Sequence, residues 1–183
     1  VTVITGLLLT LLTLYGSLSG ISGSEGKNFM LTDTTLDDIA SIISLYNYTT
    51  GIVDASSINT ITEEAASILT MYDHSANIIG LEGVDVVLTD TSLTDITVLT
   101  DLDLSTTGTI DASGVSVISG QLDNTLTLYD PLSGIIGLDA TDYILTDISL
   151  NDISRLNSLD LSTSGTIDAS SVTLIRGLLD SII

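Results

Sequence analysis

The sequence predicts an α/β fold, a parallel solenoid of strand-helix-strand-helix units, on three observations. The text has a fixed internal period, short β-branched runs precede rows of apolar residues at helical spacing, and turn residues separate them. The segment Leu88 to Asp123, LTDTSLTDITVLTDLDLSTTGTIDASGVSVISGQLD, returns from Leu145 as LTDISLNDISRLNSLDLSTSGTIDASSVTLIRGLLD and also occurs one period earlier, from Leu31. Leu31, Leu88 and Leu145 open the LTD tripeptide, Asp54, Asp111 and Asp168 stand in DAS, and Tyr15, Tyr72 and Tyr129 close a helix-like segment. Of the 39 positions from 88 to 126, 24 are identical one period later without a gap, the signature of a repeat array. The repeats are 1–57, 58–114 and 115–171, and 172–183 begins a fourth. Polar capping repeats, which keep solenoids soluble alone, are not evident at either end. A piece of a longer array, or a unit that meets copies of itself end to end, is expected.

In chain order, Asp85-Val86-Val87-Leu88-Thr89 reads as a strand, because apolar and β-branched residues run together over a few positions, and Asp90 ends it. Ser92-Leu93-Thr94-Asp95 reads as a helix start, a hydroxyl cap with a carboxylate three residues on. Leu93, Ile96, Leu99 and Leu102 continue it for about three turns. Ser105-Thr106-Thr107-Gly108 breaks this helix, with Gly108 supplying a positive φ or a tight bend. Thr109-Ile110-Asp111 is the second strand. Ser113 then caps a second helix with the row Val115, Ile118, Leu122, Leu126 and Tyr129, matched by Ile58, Ile61, Ala65, Leu69 and Tyr72. Pro131 and Gly134 end it. Gly134 to Leu138 is an apolar turn into the next strand at Tyr143-Ile144-Leu145.

Both halves of a repeat place a strand end, an Asp, a hydroxyl and a helix start in succession, at a shorter and a longer spacing in alternation: Asp90 to Asp111, then Asp111 to Asp147. A strand and a helix at each interval fit a single parallel sheet. Strands stack about 4.8 Å apart and helices about 10 Å apart, so helices fall on a convex side, with leucine-rich-repeat-like curvature. Two other wirings fit less well. One has two sheets in which equivalent strands stack once per full period; the other is an ordinary doubly wound domain.

Twenty-four acidic residues against three basic ones give a formal charge of −21, which disfavours nucleic acid and anionic membrane as partners and leaves cations as natural ones. At 44% hydrophobic the chain is too apolar for a disordered acidic tail. It has no cysteine, so disulfides and thiolate metal sites are excluded. Residues 1 to 23 carry no charge and mimic a membrane span. Their apolar positions Val1, Ile4, Leu8, Leu11 and Tyr15 nevertheless fall on Ile58, Ile61, Ala65, Ile68 and Tyr72 of a copy that bears Glu63 and Glu64. A soluble helix, not membrane insertion, is expected there.

On the single-sheet wiring Asp33, Asp54, Asp90, Asp111, Asp147 and Asp168 share one edge. Carboxylates so close repel unless each accepts backbone N–H groups or calcium bridges them; the first is favoured, since no dedicated calcium loop is present. Asp101, Asp103 and Asp160 are read as solvated helix ends, and Asn28, Asp85 and Asp142 as the turn before the first strand. His74, whose counterpart is Pro131, is a surface turn residue. Asn47-Tyr48-Thr49 matches a glycosylation sequon in one repeat only. There is no nucleophile with a base, no phosphate loop and no metal triad, and no repeat departs from its siblings in polar residues as a converted active site would. A non-enzymatic protein is expected.

SLTDITVLTDLDLSTTGTIDAS, followed by VxxIxG at Val115, Ile118 and Gly120, a YD helix end at Tyr129-Asp130 and GIIGL at 134–138, resembles the tandem repeats of very large secreted surface proteins of marine bacteria, cyanobacteria especially. The resemblance covers the whole chain. It implies an extracellular or cell-surface structural array, a fibre, sheath or surface layer. The alternative is an adhesin or ligand-binding module, with calcium as candidate cofactor. Tyr46, Asn47 and Tyr48, where later copies have Asp-Leu-Ser, and the uncharged first helix depart from the pattern.

Overall fold

The computed structural model describes residues 2–15, 23 and 25–176; Val1 and residues 177–183, most of the expected fourth start, lie outside it. The chain is mixed α/β, with several parallel sheets of short strands alternating with helices. It divides into two compact units, Val1–Val87 with Leu104–Thr109, and Leu88–Asp103 with Ile110–Ile183.

The first unit runs β1 (Val3–Gly6), α1 (Leu8–Tyr15), β2 (Asn28–Leu31), β3 (Thr35–Leu36), α2 (Ile39–Asn47), β4 (Val53–Asp54), β5 (Thr60–Glu63), α3 (Ala65–Tyr72), β6 (Ile78–Ile79) and the start of β7 (Asp85–Leu88). β1, β2, β4 and β6 lie side by side in that order, as do β3, β5 and β7. The second unit contains β8 (Ser92–Leu93), most of α4 (Thr97–Ser105), β9 (Ile110–Asp111), β10 (Val117–Gly120) and α5 (Leu122–Thr127). It continues through β11 (Ile135–Ile136), β12 (Asp142–Leu145), β13 (Ser149–Leu150), α6 (Ile153–Ser162), β14 (Ile167–Asp168) and β15 (Leu174–Ile175). There β8, β10, β12 and β14 pair in order, β9 pairs with β11, and β13 with β15.

The pairing advances by a nearly constant step along the chain: Ile4 opposes Phe29, Phe29 opposes Val53, and Val53 opposes Ile78. Leu93, Ile118, Tyr143 and Ile167 repeat the arrangement in the second unit. The inward residue of each strand therefore stacks on the inward residue of its neighbour. Phe29, Val53 and Ile78 are fully buried by it, each contributing roughly 1.5–3 kcal/mol. Very short strands suffice, because one inward side chain flanked by outward ones is all that a column needs.

The wiring thus differs from the expected one in three respects. Among the described residues, strands one period apart do not share a sheet: β2 and β7 belong to different ones, so neither the single sheet nor the sheet of equivalent strands forms. The second and third repeats each hold five short strands and two helices in place of two and two. The helices also start later than their apolar rows: Ser92-Leu93 is β8 and Ile118 sits in β10, because spacing of i, i+3 serves a strand followed by a helix as well as one helix. The first copy follows suit, with Ile4 in β1 and α1 starting at Leu8, and GIIGL contains β11 where a turn was expected. The caps are Asp38, Asp95 and Asp152, whose carboxylates accept N–H bonds from Ser41, Thr97 and Ser154; Ser113 opens no helix and donates its N–H to Asp111. No helix among the described residues is long and apolar enough to cross a membrane.

Glycines mark where successive passes touch. Gly108 supplies the bend and not a positive φ; a Cβ there would strike the Val84 carbonyl, as one at Gly51 or Gly165 would strike that of Lys27 or Thr141. Beside each, a threonine hydroxyl reaches the same carbonyl: Thr49 to Lys27 at 2.6 Å, Thr106 to Val84 at 2.8 Å and Thr163 to Thr141 at 2.8 Å. Gly80 and Gly137 do have positive φ, 86° each. Gly165→Ala is expected to destabilise the chain by about 2 kcal/mol or more in urea unfolding. Gly114→Ala, whose Cβ would find its nearest atoms at 3.5 Å, should stay within about 0.5 kcal/mol.

Candidate functional site

The six aspartates do not form one edge row but two sets with separate partners. Asp33, Asp90 and Asp147 follow strands at a half-buried position. Asp33 accepts the N–H of Leu8 at 2.7 Å and Asp147 that of Leu122 at 2.7 Å, each the first residue of a helix 25 positions earlier. They complete helix starts on the preceding pass, where an unpaired N–H favours a carboxylate. Asp54, Asp111 and Asp168 end strands and accept the N–H of Ser56, Ser113 and Ser170 two residues on, a local Asx turn. These bonds hold the Asp111 and Asp168 carboxyls below the ordinary value, the serine hydroxyls first and the N–H groups second. Among the described residues no three histidine, cysteine or acidic side chains converge as a metal ion needs.

A third set was only partly placed by sequence reasoning. Asp85 opens β7, as the strand reading had it, and Asn28 and Asp142, assigned with it to the preceding turn, open β2 and β12; all three reach the pass that follows. Asp85 accepts the N–H and hydroxyl of Thr109 at 2.8 and 2.9 Å, Asp142 those of Thr166 at 2.6 and 2.8 Å, and the Asn28 amide oxygen accepts the N–H of Ile52 at 3.0 Å. Both carboxyls are pushed below the ordinary range, by the backbone donor first and the hydroxyl second. Asp103, read as solvated, accepts the N–H of Gly134 at 2.7 Å.

The aromatic residues are mostly internal. Tyr72 and Tyr129 donate to the carbonyls of Leu81 and Leu138, and Tyr129 also shares a 2.8 Å bond with the hydroxyl of Tyr143. Burial raises the phenols of Tyr72, Tyr129 and Tyr143. His74 lies in a turn with its ring 5.0 Å from that of Tyr46. The Thr49 hydroxyl of the sequon is turned inward onto the Lys27 carbonyl.

One open cleft carries chemistry that the sequence reading missed. In the second unit, about 430 Å³ between the starts of α5 and α6 and the strand β13 is lined by Gln121, Asp123, Asp147, Asn151, Asp152 and Arg155, over Leu122 and Leu150. Arg155 Nε lies 2.9 Å from Asp123 Oδ1. Asp152 is held below the ordinary carboxylate range by the Ser154 hydroxyl first, then its N–H, with Arg155 adding a smaller pull. No family model, curated protein or solved structure matches the chain. Arg155 stands where the earlier repeats have Val98 and Ser41, Asp123 where they have Ala66 and Leu9, and Gln121 where they have Glu64 and Leu7. The third repeat does depart from its siblings in polar residues, in a set scattered through the text and gathered by the fold.

The strand-opening carboxylates set an acid sensitivity. With folded values below the unfolded one of about 3.9, Asp85 and Asp142 add stability that is fully present above about pH 4 and is lost as pH falls through the folded values. Asp85→Asn with Asp142→Asn keeps the acceptor, as Asn28 does in the first repeat, but removes the ionised form, so it should flatten the acid limb of the melting temperature against pH by lowering the pH 7 value toward the acid one, with little change below the folded values. Calcium at about 1 mM is expected to leave the melting temperature of the unmodified chain where magnesium leaves it, because hard divalent ions need several converging oxygens.

Proposed function

We propose that the chain is a non-enzymatic structural repeat segment, a parallel α/β solenoid, that contributes length to an extracellular or cell-surface fibre, sheath or layer. Its partners are adjacent repeats of the same protein or further copies of this chain. The observation that carries this is the nearly constant step between paired strands, from Ile4 to Phe29 to Val53 to Ile78 in the first unit and from Leu93 to Ile118 to Tyr143 to Ile167 in the second. Stability in such a stack accumulates from each pass on its neighbour, without a central core to close. The chemistry fits the same use. Polar side chains such as Thr106 on the Val84 carbonyl, Asp147 on the Leu122 N–H and Asp111 on the Ser113 N–H bond to the backbone of a neighbouring pass or of their own turn, as a material needs. A charge of −21 keeps such a surface hydrated and off nucleic acid.

Negative-stain electron microscopy of native material tests the assignment. Elongated particles, fibres or an ordered lattice are expected, and isolated compact monomers at every concentration would count against it. A second check uses stability: removal of residues 58–114, one whole period, should leave a folded chain whose urea m-value falls roughly in proportion to the lost length. Failure of that shortened chain to fold cooperatively would argue for an ordinary single-core domain.

A further inference from the structure

We infer that the cleft of the third repeat binds a neutral polyhydroxylated ligand, a sugar of one or two rings, on the Arg155 and Asp123 pair with Gln121 and Asn151 beside it. This does not rest on the assembly proposed above. The cleft holds about 430 Å³, at the lower end of the roughly 300–1,000 Å³ usual for small-molecule sites. Its chemistry narrows the occupant. Asp123, Asp147 and Asp152 line the cleft with a single guanidinium, so its net charge is negative and phosphates and carboxylates are repelled. Asp147 and Asp152 already accept N–H bonds, and no three ligating groups converge among the described residues, which leaves a bare metal ion poorly held. Leu122 and Leu150 are 2% and 4% exposed, too little apolar wall for a hydrophobic guest. What the surface does offer is donors and acceptors in alternation. The bond joins Arg155 Nε to Asp123 Oδ1 and both side chains are well exposed, so the pair has further donors and acceptors to offer at the surface. Vicinal hydroxyls, each both donor and acceptor, complement that pair, and the two carboxamides extend it.

The earlier repeats serve as an internal control, since Val98 and Ser41, Ala66 and Leu9 at the matching positions cannot make the pair. Arg155 and Asp123 are 45% and 72% exposed, so their replacement leaves packing intact.

The full chain is mixed with methyl α-glucoside, methyl α-galactoside, methyl α-mannoside or N-acetylglucosamine and followed by saturation-transfer and amide-shift NMR. At least one sugar is expected to show transfer, with shifts confined to residues 121–123 and 149–155. Affinity should fall about tenfold or more in Asp123→Ala and in Arg155→Val, at unchanged melting temperature. Arg155→Lys, which keeps the charge but not the planar fork, should lose binding too. Absence of transfer from all four sugars, equal binding by the variants, or shifts of these amides by phosphate or calcium in place of sugar would overturn the assignment.

Discussion

Everything in this chain depends on backbone laid parallel to backbone one pass earlier, Phe29 against Ile4 and Val53 against Phe29. Strands of two to four residues are too short to persist alone, and helices of 6 to 10 residues are below the length at which isolated helices hold in water. Each survives because its neighbours satisfy its polar groups and cover its one apolar side. The side chains obey the same geometry. Threonine hydroxyls reach back 22 positions to carbonyls, aspartates reach back 25 to helix N–H groups, and strand-opening carboxylates reach forward 24. Glycine at 51, 108 and 165 lets the passes close to the distance at which those bonds are made.

The fold was partly legible. The repeat, the parallel α/β class and the core positions Leu99, Leu102, Ile110 and Ile118 follow from period and hydrophobic spacing, and all four are buried. Strand count and wiring were not legible, for a physical reason. A strand as short as Ser92-Leu93 has one inward side chain, and periodicity cannot be read from one point. Register was hidden as well, because the text and the contacts keep different steps: Phe29 returns in the text as Val86, yet it pairs with Val53. Asp33 and Asp54 look alike in sequence, an Asp after a strand, yet one completes a distant helix and the other its own turn. The candidate cleft was hidden differently: Asp123 and Arg155 stand far apart in the text, and only the packing of α5 beside α6 makes them one feature.

The same frame explains how so acidic a chain holds together. An aspartate that accepts N–H and hydroxyl bonds has its charge spread into donors, which favours the ionised form, and no buried side-chain N or O atom among the described residues lacks a partner. Carboxylates here act chiefly as backbone acceptors. Lysine and arginine are nearly dispensable to such a scheme, which makes a lone guanidinium in the third repeat conspicuous.

The mismatch between the long period of the text and the shorter step of the contacts bears on how such a gene can change. Recombination between equivalent codons adds or deletes a full period, and every donor then meets the acceptor it met before. Length can be gained or lost in these quanta without redesign, while a difference confined to one copy, such as Arg155 against Val98 and Ser41, leaves the remaining copies as scaffold.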